Sequence, residues 1–437
     1  MKSAMEFLAA TKEYGMKAYP QGVEALFPAF AQGYRPGPLM SGEFFASVLE
    51  RYALGEAHRA LLTQALEDVQ GDEALLCLTH FFLQDLRRIS ARLEMDEYDA
   101  MEPARGMRNP EAYAMVLLIS CLEPSIAARR AMGMPDKAFL DTAYNALDRQ
   151  MEKLKTTDDP RVSDFPWDRS FYTCDIFFLE RFYFKLERLG YPIAAYRREG
   201  ETGPETVAFF TQPVRIRRDG QLDGTNGQRD PLAFETAYEA TDSAVTGTPI
   251  HPAGVVYPGS RTLDLSQWKL ALREGDITLG LHIPGGPGYD VEHLRSCTQA
   301  AYDFFARWFP SQEVRAFANE SWLNDPHLPL LCKPGANIPG MQREMYLFPC
   351  EEGERMMHGE LFGGKPLPGP QDPATSLQRS VAEFMGRGGR MTSTCMFLLA
   401  RDIPRIGAGP YAPAQEYAKV WREQQRIMDF GGEGEHR

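Results

Sequence analysis

One histidine stands where a sheet would put it to use. From Ile277 to Ile283, the apolar residues Ile277, Leu279, Leu281 and Ile283 alternate with Thr278, Gly280 and His282. That is the period of a strand with one buried face. His282 falls at the carboxyl end, on the less apolar face, and ligands of open α/β sheets bind outside those ends. An imidazole titrates near neutrality, so it can take a proton from an amine or an alcohol. A second short strand, 313–319, runs into Glu320 and Ser321. If the two strands are parallel neighbours, Glu320 can act as the base or orient His282. Ser321 can donate a hydrogen bond or cap the helix that follows. Between the strands lies Pro284-Gly285-Gly286-Pro287-Gly288. Its glycines let a backbone approach a ligand without Cβ interference. The helix after it, capped by Asp290, offers unpaired N–H groups and a positive dipole end, the arrangement that holds anions. A tight strand-to-helix turn that binds nothing fits the same residues. The loop matches neither GxGxxG nor GxxxxGK[ST].

Other chemistry finds little support. Gly259-Ser260 lacks the frame of a nucleophile elbow. The eight histidines show no metal-ligand spacing, and no two of the seven cysteines stand as CxxC. No metal site is therefore expected, and the thiols suit a reducing, cytoplasmic setting.

The elements that must position these residues follow from periodicity. Leu75, Leu78, Phe82, Leu86, Ile89 and Leu93 recur at helical steps, as do Phe139, Ala143, Leu147, Met151 and Leu154. Pro110, Pro124 and Pro135 read as helix starts, where a missing N–H costs nothing. The polar run Thr157-Asp158-Asp159-Pro160 predicts a boundary, with a helical domain over 1–160 and a second domain over 161–437. Strand signals dominate beyond residue 205, and Asp219-Gly220 reads as a hairpin turn. The segment 175–189 fits helix or strand, with a strand favoured at its end. Helices are expected over 290–309, 375–386 and 414–430, and a strand over 391–399. The fold class expected is thus two-domain α+β or α/β.

With 60 acidic against 47 basic side chains the net charge is -13, which disfavours nucleic-acid partners. The N-terminal apolar patch is broken by Thr11, Lys12 and Glu13, a poor signal peptide. The longest apolar run, 112–122, has the length of a buried core helix rather than a membrane span.

Taken together, several stretches resemble a family of bacterial two-domain proteins. They are Leu281-His282-Ile283-Pro284-Gly285-Gly286, Phe304-Phe305-Ala306-Arg307-Trp308-Phe309-Pro310, and Ser321-Trp322-Leu323 with Asp325-Pro326. Ala131-Met132-Gly133-Met134-Pro135 and Arg181-Phe182-Tyr183-Phe184 extend the likeness upstream. Asn337-Ile338 with Gln342, Thr375–Arg379 and Gly388-Gly389 extend it downstream. That family joins an N-acyltransferase N-terminal helical domain to a GNAT-like C-terminal domain. The resemblance implies a mixed sheet of the GNAT kind, with acetyl-CoA or another acyl-CoA as donor and an amine or similar small nucleophile as acceptor. His282, Glu320 and Ser321 would be the catalytic group, and Ile283, Gly285, Gly286 and Gly288 would hold the CoA. Ordinary GNAT enzymes read Q/R-x-x-G-x-G/A at that loop, and this chain does not. A GNAT-like module that senses a ligand or binds a protein without catalysis is the alternative.

Overall fold

The computed structural model describes residues 30, 32–86, 103, 105–172, 176–200, 203–369, 371–372 and 374–431. Its contacts divide the chain into two compact units, Met1–Leu179 and Glu180–Arg437. The polar turn at 157–160 falls inside the first unit. The N-terminal patch and the expected helix positions Ile89 and Leu93 lie outside the described residues.

The first unit is helical. α1 (Gly42–Arg51), α2 (Glu56–Gly71), α3 (Glu73–Leu86), α4 (Tyr113–Ala131) and α5 (Asp136–Thr157) carry it. α4 is the central helix: every residue from Tyr113 to Leu122 is buried, and it packs against the other four. The segment Pro110–Ala131 is in fact long and apolar enough to cross a membrane, contrary to the sequence reading. Two-thirds of its most apolar stretch is buried, so a core helix accounts for the composition. Pro124 also departs from expectation, because it sits inside α4 rather than at a start. An interior proline costs about 3 kcal/mol. The all-round burial of the turns before it, Tyr113–Leu122, is large enough to hold the helix together. Pro110 and Pro135 do flank helix starts.

The second unit is built on two main sheets, with two smaller ones of three and two strands. The strands of the main sheets are β1 (Phe182–Arg188), β2 (Ile193–Arg198), β3 (Glu205–Phe210), β4 (Pro249–His251), β5 (Val255–Val256), β6 (Lys269–Arg273), β7 (Ile277–His282), β8 (Ala316–Ser321), β9 (Tyr346–Pro349) and β10 (Thr394–Leu399). Within this unit one sheet runs in the order β1-β7-β8-β10-β9, the other β5-β4-β3-β2-β6. The first sheet is mixed: β7 and β8 are parallel, and their outer neighbours are antiparallel. A parallel pair needs a crossover. The loop 283–290 and α6 (Val291–Trp308) supply it, as the alternation and the Asp290 cap predicted. Leu294, Cys297, Ala301 and Phe305 are buried along α6. The second strand starts three residues later than the sequence suggested and ends two later, at Ala316–Ser321. Asp219-Gly220 makes a turn, but only a single bridge, Ile216 to Leu222, closes it.

Two buried polar links join the sheets. The Tyr346 hydroxyl accepts from the Ala208 N–H at 3.0 Å and donates to the Ile250 carbonyl at 2.5 Å. Arg197 on β2 donates to Asp402, just past β10, at 2.6 Å. Arg197 is 6% exposed and Asp402 fully buried.

Candidate functional site

Residues alternate in direction along a strand, so register sorts the site by face. The parallel ladder matches Thr278 with Ala316, Leu279 with Phe317 and Gly280 with Ala318. His282 and Glu320 each lie two residues beyond the last matched pair, on one face of the sheet. Ser321 lies on the other face. Its hydroxyl accepts from the Leu323 N–H at 3.1 Å and caps the turn Trp322–Asn324. The capping role is therefore the one the structure gives it.

The ladder between β7 and β8 stops at Gly280 and Ala318. On their outer sides both strands stay paired to their ends, at His282–Tyr183 and Ser321–Thr394. The parallel pair therefore opens at its carboxyl end, between the two candidate groups. The Asn319 amide spans part of the opening, donating to the Leu281 carbonyl at 2.9 Å. Asn324 orients it, donating to its amide oxygen at 2.7 Å.

Burial tunes the groups on the His282 face. The imidazole is lowered to about 4 by desolvation and by the nearby Lys185 cation. It is neutral at pH 7. Glu320 is raised by burial, while a hydrogen bond from the Tyr191 hydroxyl at 3.0 Å works in the opposite sense. Glu187 of β1 lies over Gly280, where an added Cβ would come within 2.6 Å of its carboxylate. Gly280 is thus required by close approach rather than by backbone angle. Burial lifts Glu187 from 4.5 to about 7, against the pull of Lys185. Such a group stabilises the fold below its unfolded value and loses that contribution as pH rises. Glu187→Gln is expected to remove a fall in stability between pH 4.5 and 7. Urea midpoints of the two proteins across that window check it, and parallel curves would refute the assignment.

The Gly/Pro loop has a different construction from the one expected. Its carbonyls turn towards Arg181, which donates to Pro284 at 2.7 Å, to Gly286 at 3.0 Å and also to Pro287. Gly286 and Gly288 adopt φ of +104° and +89°, which permits the inward turn. Gly285 and Gly286 are exposed, and a Cβ on either would meet nothing; Ile283 is partly buried. Gly288 has no such room, with Arg181 and His293 beside it. The start of α6 also carries its own anion. Asp290 accepts from the His293 N–H and from the His293 ring. Any phosphate would share that helix end with a carboxylate. The cation of this loop is Arg181, bound to its carbonyls, a role that the sequence does not announce.

A second group escaped notice. Asp325, fully buried, accepts from the N–H groups of Thr392 at 2.6 Å and His327 at 2.7 Å. It also pairs with the His327 ring at 2.8 Å. Burial opposes the imidazolium, but Asp325 outweighs it and raises His327 above its ordinary value. This cluster fixes the chain after β8 against the entry to β10. Gln342 reinforces it through the carbonyls of Leu323 and Asp325.

Residues 183–398 match the model of a family described as the GNAT-like C-terminal domain. No curated protein matches the sequence. Among solved structures, an acyltransferase in complex with decanoyl-CoA superposes with a TM-score of 0.54 at 14% identity. The match covers 91% of this chain and 99% of that one. An acyltransferase mutant with octanoyl-CoA gives 0.53 at 16%, over 91% and 99%. A complex of an acyltransferase with decanoyl-CoA and teicoplanin gives 0.53 at 16%, over 91% and 100%. At these identities the likeness establishes a shared fold: a helical N-terminal part followed by a mixed-sheet domain.

Proposed function

With residues 183–398 belonging to the family of GNAT-like C-terminal domains, we propose that this protein is an acyl-CoA-dependent acyltransferase acting on an amine. The observation that carries the reading is the parallel pair that opens beyond Gly280 and Ala318. An extended amide-bearing donor arm fits between strands whose facing backbone groups are released from each other, as an added strand would. The thioester would then lie beside His282 and Glu320. The acyl-CoA complexes of the structural neighbours support the donor, and the teicoplanin complex supports a small-molecule acceptor.

Direct attack of the amine on the thioester carbonyl needs no enzyme nucleophile. The amine lone pair forms the new C–N bond, and the C–S bond breaks with the electron pair leaving on sulfur. His282, neutral at pH 7, accepts the proton that the attacking nitrogen sheds. Glu320, held by Tyr191, faces the same space and orients the acceptor. The Gly285–Gly288 loop, organised by Arg181, would hold the CoA phosphates. A cytoplasmic location goes with this reading, supported by acyl-CoA as donor and by thiols without disulfide spacing.

The test is calorimetry with acetyl-, octanoyl- and decanoyl-CoA. Binding of at least one is expected, and Arg181→Ala should weaken it by about tenfold or more, through loss of charge-assisted hydrogen bonds that shape the loop. Absence of heat and of thermal stabilisation with all three would sink the proposal. Binding without release of CoA thiol across an amine panel would instead favour a ligand-sensing module, which the Asp290 carboxylate at the anion end of α6 allows.

A further inference from the structure

Among the described residues, one set of three metal-ligating side chains brings its donor atoms together: Glu320, Cys350 and Cys395, all within 4.8 Å of one another. We infer that these three residues form a binding site for one soft divalent cation, zinc by its chemistry, beside the opening of the parallel strands. The sheet register builds the cluster. Cys395 pairs with Glu320 on one side and with Phe348 on the other. Cys350 is two residues past Phe348, which returns its side chain to the same face. Both cysteines are buried, and Glu320, partly exposed, marks the way in.

The donor set selects the ion. Two sulfurs and one carboxylate oxygen suit zinc, cobalt or ferrous iron and exclude calcium and magnesium, which take oxygen ligands. Three protein ligands leave one tetrahedral position open. The surroundings are those of a ligand set: the Tyr191 hydroxyl donates to Glu320 at 3.0 Å and fixes the carboxylate. Metal-bound carboxylates rely on such outer hydrogen bonds. The Phe348 ring, 5.4 Å from that of Tyr191, adds an apolar wall. A disulfide between the two cysteines would give the converging carboxylate no part. Binding a cation displaces the thiol protons, so affinity rises with pH. The site rests on geometry and shares Glu320 with the proposed transfer site, while its test reads cobalt binding and not turnover.

The experiment is a titration of the reduced, metal-free full-length protein with Co2+, followed by absorbance. One equivalent is expected to give sulfur-to-cobalt charge transfer and tetrahedral ligand-field bands, both abolished by Zn2+. Cys350→Ser should lower the intensity of the charge-transfer band, leaving only the Cys395 sulfur as its source, and weaken binding by about 100-fold or more, beyond the loss typical of an outer-sphere group. Tyr191→Phe should keep the bands and weaken binding about tenfold. Cys297→Ser and Cys332→Ser should change nothing. Glu320→Gln, which retains both thiols, stands in should Cys350→Ser fail to fold by circular dichroism, and should weaken binding while keeping the charge-transfer band. No charge-transfer band in the wild type, or unweakened binding in the folded Cys350→Ser or Glu320→Gln protein, overturns the inference.

Discussion

Replacing His282 with alanine is expected to lower acyl transfer by about 100- to 10,000-fold, the usual range for a general base. The loss should fall on kcat, with acyl-CoA affinity unchanged by calorimetry, because the imidazole meets the acceptor's proton and not the donor's phosphates. The acid limb of the wild-type profile should follow the lowered titration, near pH 4, rather than the ordinary value of 6.5. An acceptor that stays unprotonated across that range isolates the enzyme's own group. Full activity in His282→Ala would remove the imidazole from the chemistry. A loss confined to KM would make it a binding residue instead. The expectation is sharp because His282 is already neutral at working pH, so no conformational step is needed to discharge it.

The second large effect concerns stability. Asp402→Ala is expected to cost about 3–5 kcal/mol, since it leaves the Arg197 guanidinium buried without its closest partner. Glu199 also accepts from Arg197, at 2.9 Å, but its side chain is 72% exposed and screened by water. Arg405 donates to Asp402 at 3.4 Å and would lose that contact too. Replacing Arg197 and Asp402 together by apolar residues of similar volume should recover most of the loss, because a buried pair gains little over a well-packed apolar one. Denaturant unfolding of the single and double variants decides it. Equal losses in the two would show that shape rather than charge dominates at this seam.

What the sequence could reveal depended on distance along the chain. The His282 strand, its loop and α6 follow from two periodicities over about thirty residues, and the capping aspartate is local to them. The pairing of β7 with β8 was conditional, yet a strand, helix and strand in succession favours parallel neighbours. The Tyr191–Glu320 bond joins residues 129 apart, and the Arg181–Pro287 contact spans 106. No local pattern encodes such partners. The convergence of Glu320, Cys350 and Cys395 depends on two antiparallel registers, which the composition of a strand does not fix. Ser321 was readable both ways, and the pleat decided it. Pro124 misled for a physical reason: its local cost is outweighed by tertiary burial that a single chain segment does not display.

The open end of the parallel pair bears on how the protein would announce its ligand. Beyond Gly280 and Ala318 the middle of the sheet lacks the cross-strand bonds that its flanks possess. Amides there are expected to exchange with solvent deuterium faster than those of the outer ladders, although they lie at the centre of the unit. A donor seated between the strands would slow that exchange and raise the unfolding midpoint in proportion to the logarithm of its concentration. The least protected backbone of the sheet would then be its most sensitive reporter of occupancy, readable without a substrate being turned over.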